Sequence, residues 1–174
     1  ALEKTRQKQV SGMTKMLLPE IQRDFKNFNE KEIYLLVEKG LTAIFNSLEN
    51  EDSSYLKDDE FNIIKQKIDE QIIDLQNNNI SYRFDDIVFH KHAIKSYKKQ
   101  KDVATLEIST SLEYYYNKRK NNKDISQDNI KRQTRYTTQL VYIIDNTKTG
   151  FDINILGLHC PNCGSPVKSL SQTE

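Results

Sequence analysis

Tryptophan is absent from this chain and cysteine is scarce, with two thiols among 174 residues, both inside the run CPNC. Two thiols this close together cannot build the disulfide framework of a small secreted domain, and their spacing points to metal or redox chemistry instead. A run of about 18 apolar residues is also missing, so no segment reads as a helix that spans a bilayer. Nor does one sign of charge dominate: 26 basic against 25 acidic side chains leave a formal net charge of +1. Such a balance gives no overall field that would draw nucleic acid or an acidic membrane, and no nucleic-acid partner is expected. No internal repeat divides the chain, and its length suits one domain with a core of its own. It opens on Ala rather than Met, as a trimmed product does, and an upstream signal or anchor, if any, lies outside it.

What is present is hydrophobic periodicity. Ala1 to Lys15 is polar and reads as a tail or exposed helix. Leu17, Ile21, Phe25 and Phe28 then recur at helical spacing. Asn29 and Glu32 have capping-box spacing, and the helix they open carries Ile33, Leu36, Val37, Leu41, Ile44, Phe45 and Leu48 as its buried stripe. Gly40 interrupts that stripe at a cost of roughly 1 kcal/mol relative to Ala, and a glycine there permits close packing. Asp58 or Asp59 is expected to cap a third helix with Phe61, Ile64, Ile68, Ile72 and Leu75 on one side.

From Ile80 the period changes to two, with a phase shift across Asp85 and Asp86 that predicts a bulge. Lys98 to Lys101 form a solvated hairpin end. Between Asp102 and Tyr116, the residues Ala104, Leu106, Ile108, Thr110, Leu112, Tyr114 and Tyr116 share one face of a long strand. Thr134 to Ile144 repeats the alternation, with Tyr136, Leu140, Tyr142 and Ile144 on one face. These two runs predict an antiparallel pair whose apolar face is covered by everything earlier in the chain. Asn117 to Gln133 reads as a long polar hairpin tip, and Phe151, Ile153 and Ile155 supply a last strand. Helices first and then antiparallel strands predict an α+β fold, with N-terminal helices packed on the sheet. The expected organisation is a tail over 1–16, the α+β domain over 17–158, and the start of a zinc-ribbon-like segment over 159–174.

The helices ending in NSLENEDSSYLKDDEF, the ladder of EISTSLEYYY and RYTTQLVYIID, and the terminal CPNCGSPV together resemble bacterial members of the family named after subunit 44 of the mitochondrial inner-membrane translocase. The resemblance covers about Asn29 to Ile155. It implies a curved, cystatin-like cone of the nuclear transport factor 2 type. It also implies a peripheral membrane or scaffold role, with a protein or membrane partner, at the cytoplasmic face of a membrane or in the cytoplasm. A homodimer is compatible with it. Phe151 stands where a tryptophan-bearing strand is expected.

Cys160 and Cys163 are the most specific chemical feature. Pro161 and Gly164 shape a tight turn that directs both sulfurs to one centre, as in one knuckle of a zinc ribbon. Tetrahedral zinc takes four ligands and no second CxxC follows, so this is half a site, completed downstream or by another chain; a redox pair or two idle thiols are the competing readings. His159 is a candidate further ligand, although adjacent residues seldom reach one ion without strain. His90 and His92 flank Lys91, so a regular strand sends both imidazoles to one face as a metal or acid–base pair. With no Asp or Glu at strand spacing, they read more simply as surface or half-buried residues.

Tyr114, Tyr116, Tyr136 and Tyr142 share the inward face, where a cone can hold a pocket lined by phenols; plain core packing is the commoner reason for such a stripe. An enzyme would need an inward acid or histidine as well, and Glu107 and Glu113 fall on the opposite face, so no catalytic residue is assigned. Lys118, Arg119 and Lys120, with Lys123, Lys131, Arg132 and Arg135 near them, form the densest basic patch. That patch suits phosphate or anionic lipid, against the alternative of a solvated hairpin. Two functions follow: a non-enzymatic binding or scaffold domain of a membrane-associated protein, and a small-ligand carrier or pocket enzyme of the isomerase or dehydratase kind. A cone filled by Tyr and Leu favours the first, and a cavity holding an acid or histidine favours the second.

Overall fold

The computed structural model describes residues 7, 9–10, 12–125, 131–144 and 151–159. Helix α1 spans Thr14–Asp24, α2 Glu30–Asn50 and α3 Asn62–Asn77, and the strands are β1 Ile80–Gln100, β2 Val103–Lys120, β3 Lys123–Asp124, β4 Arg132–Ile144 and β5 Phe151–His159. The long strands run antiparallel in the order β1-β2-β4-β5, with β3 paired to β2. The architecture is α+β: helices packed on one face of a curved antiparallel sheet that does not close.

Local chemistry explains most of the boundaries. At the start of α2, the Asn29 side chain accepts from Glu32 N at 3.1 Å, and Glu30 and Glu32 place negative charge against the positive end of the helix. Its stripe is buried where the periodicity places it, with Leu36 covered only in part. Gly40 permits close contact with strand β5 and with the turn that leads into α3, since a Cβ there would stand 2.9 Å from Ile155 Cδ1 and 3.1 Å from Phe61 Cε1. Neither Asp58 nor Asp59 caps α3. A 3-10 turn, Asp59–Phe61, leads into it, Asp58 makes no capping hydrogen bond, and its carboxylate pairs with Lys39 of α2 instead. Helix α1 begins at Thr14, so the boundary expected between 16 and 17 falls within its first turn.

The predicted bulge is present. Pairing of β1 with β2 slips between Asp85 and Val88, where Asp86 takes φ 54°, and slips again between Phe89 and Lys91 and between Ile94 and Ser96. Each slip adds local twist, which lets a 21-residue strand curve around the helices. The β1–β2 hairpin closes through Lys101 and Asp102, with Lys101 at φ 54°. At the opposite end β2 runs farther than expected. Asn117–Lys120 belong to the strand, and Asn121 and Asn122, at φ 52° and 64°, make a tight turn into β3. Asparagine tolerates the left-handed region that such a two-residue turn requires.

The even face of β2 is the floor of the core. Ala104, Leu106, Ile108, Thr110 and Leu112 are each fully buried against the helices. Ile108→Ala is therefore expected to cost about 2–5 kcal/mol, and Thr105→Ala on the outer face less than about 0.5 kcal/mol. Denaturant midpoints of the two variants measure this, and the reverse ranking would overturn the register.

Candidate functional site

Three of the four inward tyrosines are sealed. Tyr114, Tyr136 and Tyr142 are at most 1% exposed. The Tyr114 and Tyr136 hydroxyls lie 3.1 Å apart, Phe45 packs on both rings with centroids at 5.1 and 6.3 Å, and Phe25 and Phe28 cover Tyr142 at 5.4 and 6.2 Å. Desolvation pushes the Tyr142 phenol well above its ordinary range, so it stays neutral. Tyr116 is half-buried at the rim. Phenylalanines from the helices fill the space in front of the other three.

The two histidines diverge. The slip between Phe89 and Lys91 leaves His90 outside the ladder, so His92 turns inward while His90 faces out. Both are half-buried, as the simpler reading has it, and each also meets a carboxylate that lies far away in the sequence. His92 Nδ1 lies 2.8 Å from Thr110 Oγ1 and Nε2 lies 3.0 Å from Glu38 Oε1, with the Tyr34 ring stacked at 4.9 Å. A hydroxyl–imidazole–carboxylate chain is the arrangement that activates a nucleophile. Here Thr110 is fully buried beneath α2, where no substrate can reach it, and the chain ties α2 to the sheet. On the outer face, His90 Nε2 approaches Glu113 Oε1 at 2.8 Å, within ion-pair distance but not aligned as a hydrogen bond. Glu113 also takes Lys131 Nζ at 2.7 Å and Gln133 Nε2 at 3.3 Å; the Lys131 contact leads in holding its carboxyl below the usual range.

The basic patch lies on strands rather than in a loop, and the pleat sorts it. Residues paired across strands share a face. Lys118 is opposite Tyr82, Lys120 is opposite Ile80 and Lys123, and Arg132 is opposite Tyr114, all on the inner face beyond the helices. Arg119 points the other way, opposite Ser81 and Asp124, where Arg83 lies 3.4 Å from Asp85. The structure thus brings Lys118 and Lys120 together and removes Arg119 from them. The inner group is built on aromatic rings. Lys118 Nζ sits 5.7 Å from the Tyr82 centroid, Arg132 Cζ sits 5.1 Å from that of Tyr116, and the two rings are 6.4 Å apart. These are cation–π distances. Glu51, at the end of α2, lines a cleft of about 490 Å³ beside Ile80 and Asn121. The outer groove of about 440 Å³ between Arg83 and Arg119 also holds Asp85, so its charge is mixed.

Cys160 and Cys163 lie outside the described residues, and so does the side chain of His159. Among the described residues no group of three His, Cys, Asp or Glu could hold a metal, and no helix is long and apolar enough to cross a membrane. No protein-family model matches the chain, and no curated protein does. Among solved structures, the intermembrane space region of the chloroplast protein ARC6 is similar at 13% identity and a TM-score of 0.49, covering 77% of this chain and 97% of that one. A likeness at that score assigns neither a family nor a function.

Proposed function

We propose that this chain is a non-enzymatic binding domain that meets an anionic membrane surface through the inner face of its sheet tip. The observation that carries the reading is the placement of Lys118, Lys120 and Lys123 together, with Lys120 and Lys123 directly opposite each other and, among the described residues, no carboxylate at their cross-strand positions. Like charges facing across strands are unfavourable in isolation and become favourable against a negative surface. Tyr82 and Tyr116 beneath them are amphipathic, and lysine stems can lie along such rings while their ammonium groups reach headgroups. The filled interior supports surface binding over pocket chemistry. The resemblance of Asn29 to Ile155 to the translocase subunit 44 family points to the same peripheral role.

Each lysine near an anionic leaflet contributes on the order of 1 kcal/mol, so three together are worth a factor of about 100 in partitioning. The full chain is expected to sediment with vesicles containing phosphatidylserine and to release as salt rises. The triple change Lys118→Glu, Lys120→Glu, Lys123→Glu should remove binding, while Arg119→Glu, on the other face, should leave most of it. Binding that ignores salt, or that Arg119→Glu weakens as much as the triple variant does, would refute the proposed face.

A further inference from the structure

The outer face of the sheet has a covered centre. Ser109 and Ser111 of β2 point away from the helices, yet both are fully buried, and the flanking partners of Ser109, Ala93 on β1 and Thr137 on β4, are 9% exposed. The cover comes from the start of the chain. Gln9 O accepts from Arg135 Nη1 of β4 at 3.1 Å, and Met13 N donates to Ile94 O of β1 at 2.7 Å. Ile94 N in turn donates to Thr14 Oγ1 at 2.9 Å. Gln9 is therefore held at β4 and Met13 at the outer edge of β1, on either side of β2.

Small residues set the depth of this crossing. A Cβ on Gly12 would stand 2.5 Å from Ala93 Cβ and 2.8 Å from Ile94 O, which no ordinary contact allows. The floor also offers an unused donor, because Ser111 Oγ is buried without a hydrogen-bond partner among the described residues. The strap itself is held through main-chain atoms, Gln9 O and Met13 N, while the side chains of Gln9 and Met13 are exposed and that of Val10 is half-buried. Main-chain recognition over a trough of small residues is indifferent to most of the sequence that fills it.

We infer that this trough is a docking site for an extended peptide segment with glycine at the β1 crossing, and that Gln9, Val10, Gly12 and Met13 lie over it in cis and can be exchanged for such a segment from a partner. It lies on the opposite face of the sheet from the lysine cluster, so the two proposals stand apart. The test uses the full chain and a labelled peptide of residues 7–14, QKQVSGMT, followed by fluorescence anisotropy. Gly12→Val should expel the cis strap, lower amide-exchange protection at Ile94, and raise peptide affinity at least tenfold over the unaltered chain. Ser111→Leu added to Gly12→Val should fill the trough and abolish binding. The peptide carrying the same Gly→Val change should not bind at all. Met13→Pro, which removes the N–H donated to Ile94 O, is the second way to release the strap. Peptide that binds the released and unaltered chains equally, or neither, overturns the inference. So does failure of both released variants to fold, since the strap would then be an integral part of the domain.

Discussion

Phe45→Ala should destabilise the chain by about 3–5 kcal/mol, a large share of the 5–15 kcal/mol that holds a domain of this kind together. Phe45 is 1% exposed and projects from the middle of α2 into three strands at once. Its ring centroid lies 4.8 Å from that of Phe84 on β1, 5.1 Å from Tyr114 on β2 and 6.3 Å from Tyr136 on β4. Truncation removes the burial of an aromatic ring and leaves a void that those three rings cannot close without leaving their own positions. It also opens the space above the paired Tyr114 and Tyr136 hydroxyls. Leu35→Ala, on the same helix but 63% exposed, should change stability by less than about 0.5 kcal/mol. Urea melts of the two variants decide the matter: equal midpoints would mean that α2 does not present Phe45 to the sheet.

The same comparison shows why the core was legible in the sequence. A half-buried strand must alternate, and Leu106, Ile108 and Leu112 do so without exception. A helix against that strand must repeat at three and four residues, which Val37, Leu41, Ile44, Phe45 and Leu48 do. The bulge at Asp85 and Asp86 announced itself because it breaks the phase of large apolar residues on both sides. The slip at His90 has no such mark, since it is set by how β1 fits β2, and a local reading therefore aligned His90 with His92. Glu38 lies 54 residues from His92, and no spacing rule reaches that far. Asp58 looked like a cap because capping is local, whereas its ion pair with Lys39 depends on how α2 packs.

At the sheet tip the difficulty was composition. NKRKNNKD reads as a loop by residue type, although its alternation already separates Lys118 and Lys120 from Arg119, and Asn121-Asn122 is a turn signal in its own right. Once the segment is paired as strand, a mixed patch becomes two faces of different charge. Ser109 and Ser111 lie on the face of β2 away from the helices and are buried all the same, beside Gln9 and Met13 from about 100 residues earlier, which periodicity within β2 cannot reveal.

Alkaline pH is expected to destabilise the fold well before it would affect a chain whose tyrosines are solvated. Desolvation, with a smaller contribution from Tyr116, pushes the Tyr82 phenol up to about 12. Burial comes first and the 2.6 Å hydrogen bond to Asp24 second in raising Tyr97, and burial alone raises Tyr142. A group raised in the folded state contributes stability that is complete below its unfolded value, about 10 for tyrosine, and is lost as pH rises through the folded value. For Tyr82 that window runs from about 10 to about 12, and two pH units correspond to a loss on the order of 3 kcal/mol. Tyr142 adds to the loss in the same direction. Urea melts at stepped pH above 9.5, read alongside tyrosinate absorbance, should show the midpoint falling and the buried phenols ionising together with unfolding. Tyr142→Phe removes one of the raised groups and should flatten the dependence. Phenols that all ionise near 10 while the chain stays folded would show water in front of Tyr142, and the filled interior that argues for surface binding over a pocket would no longer stand.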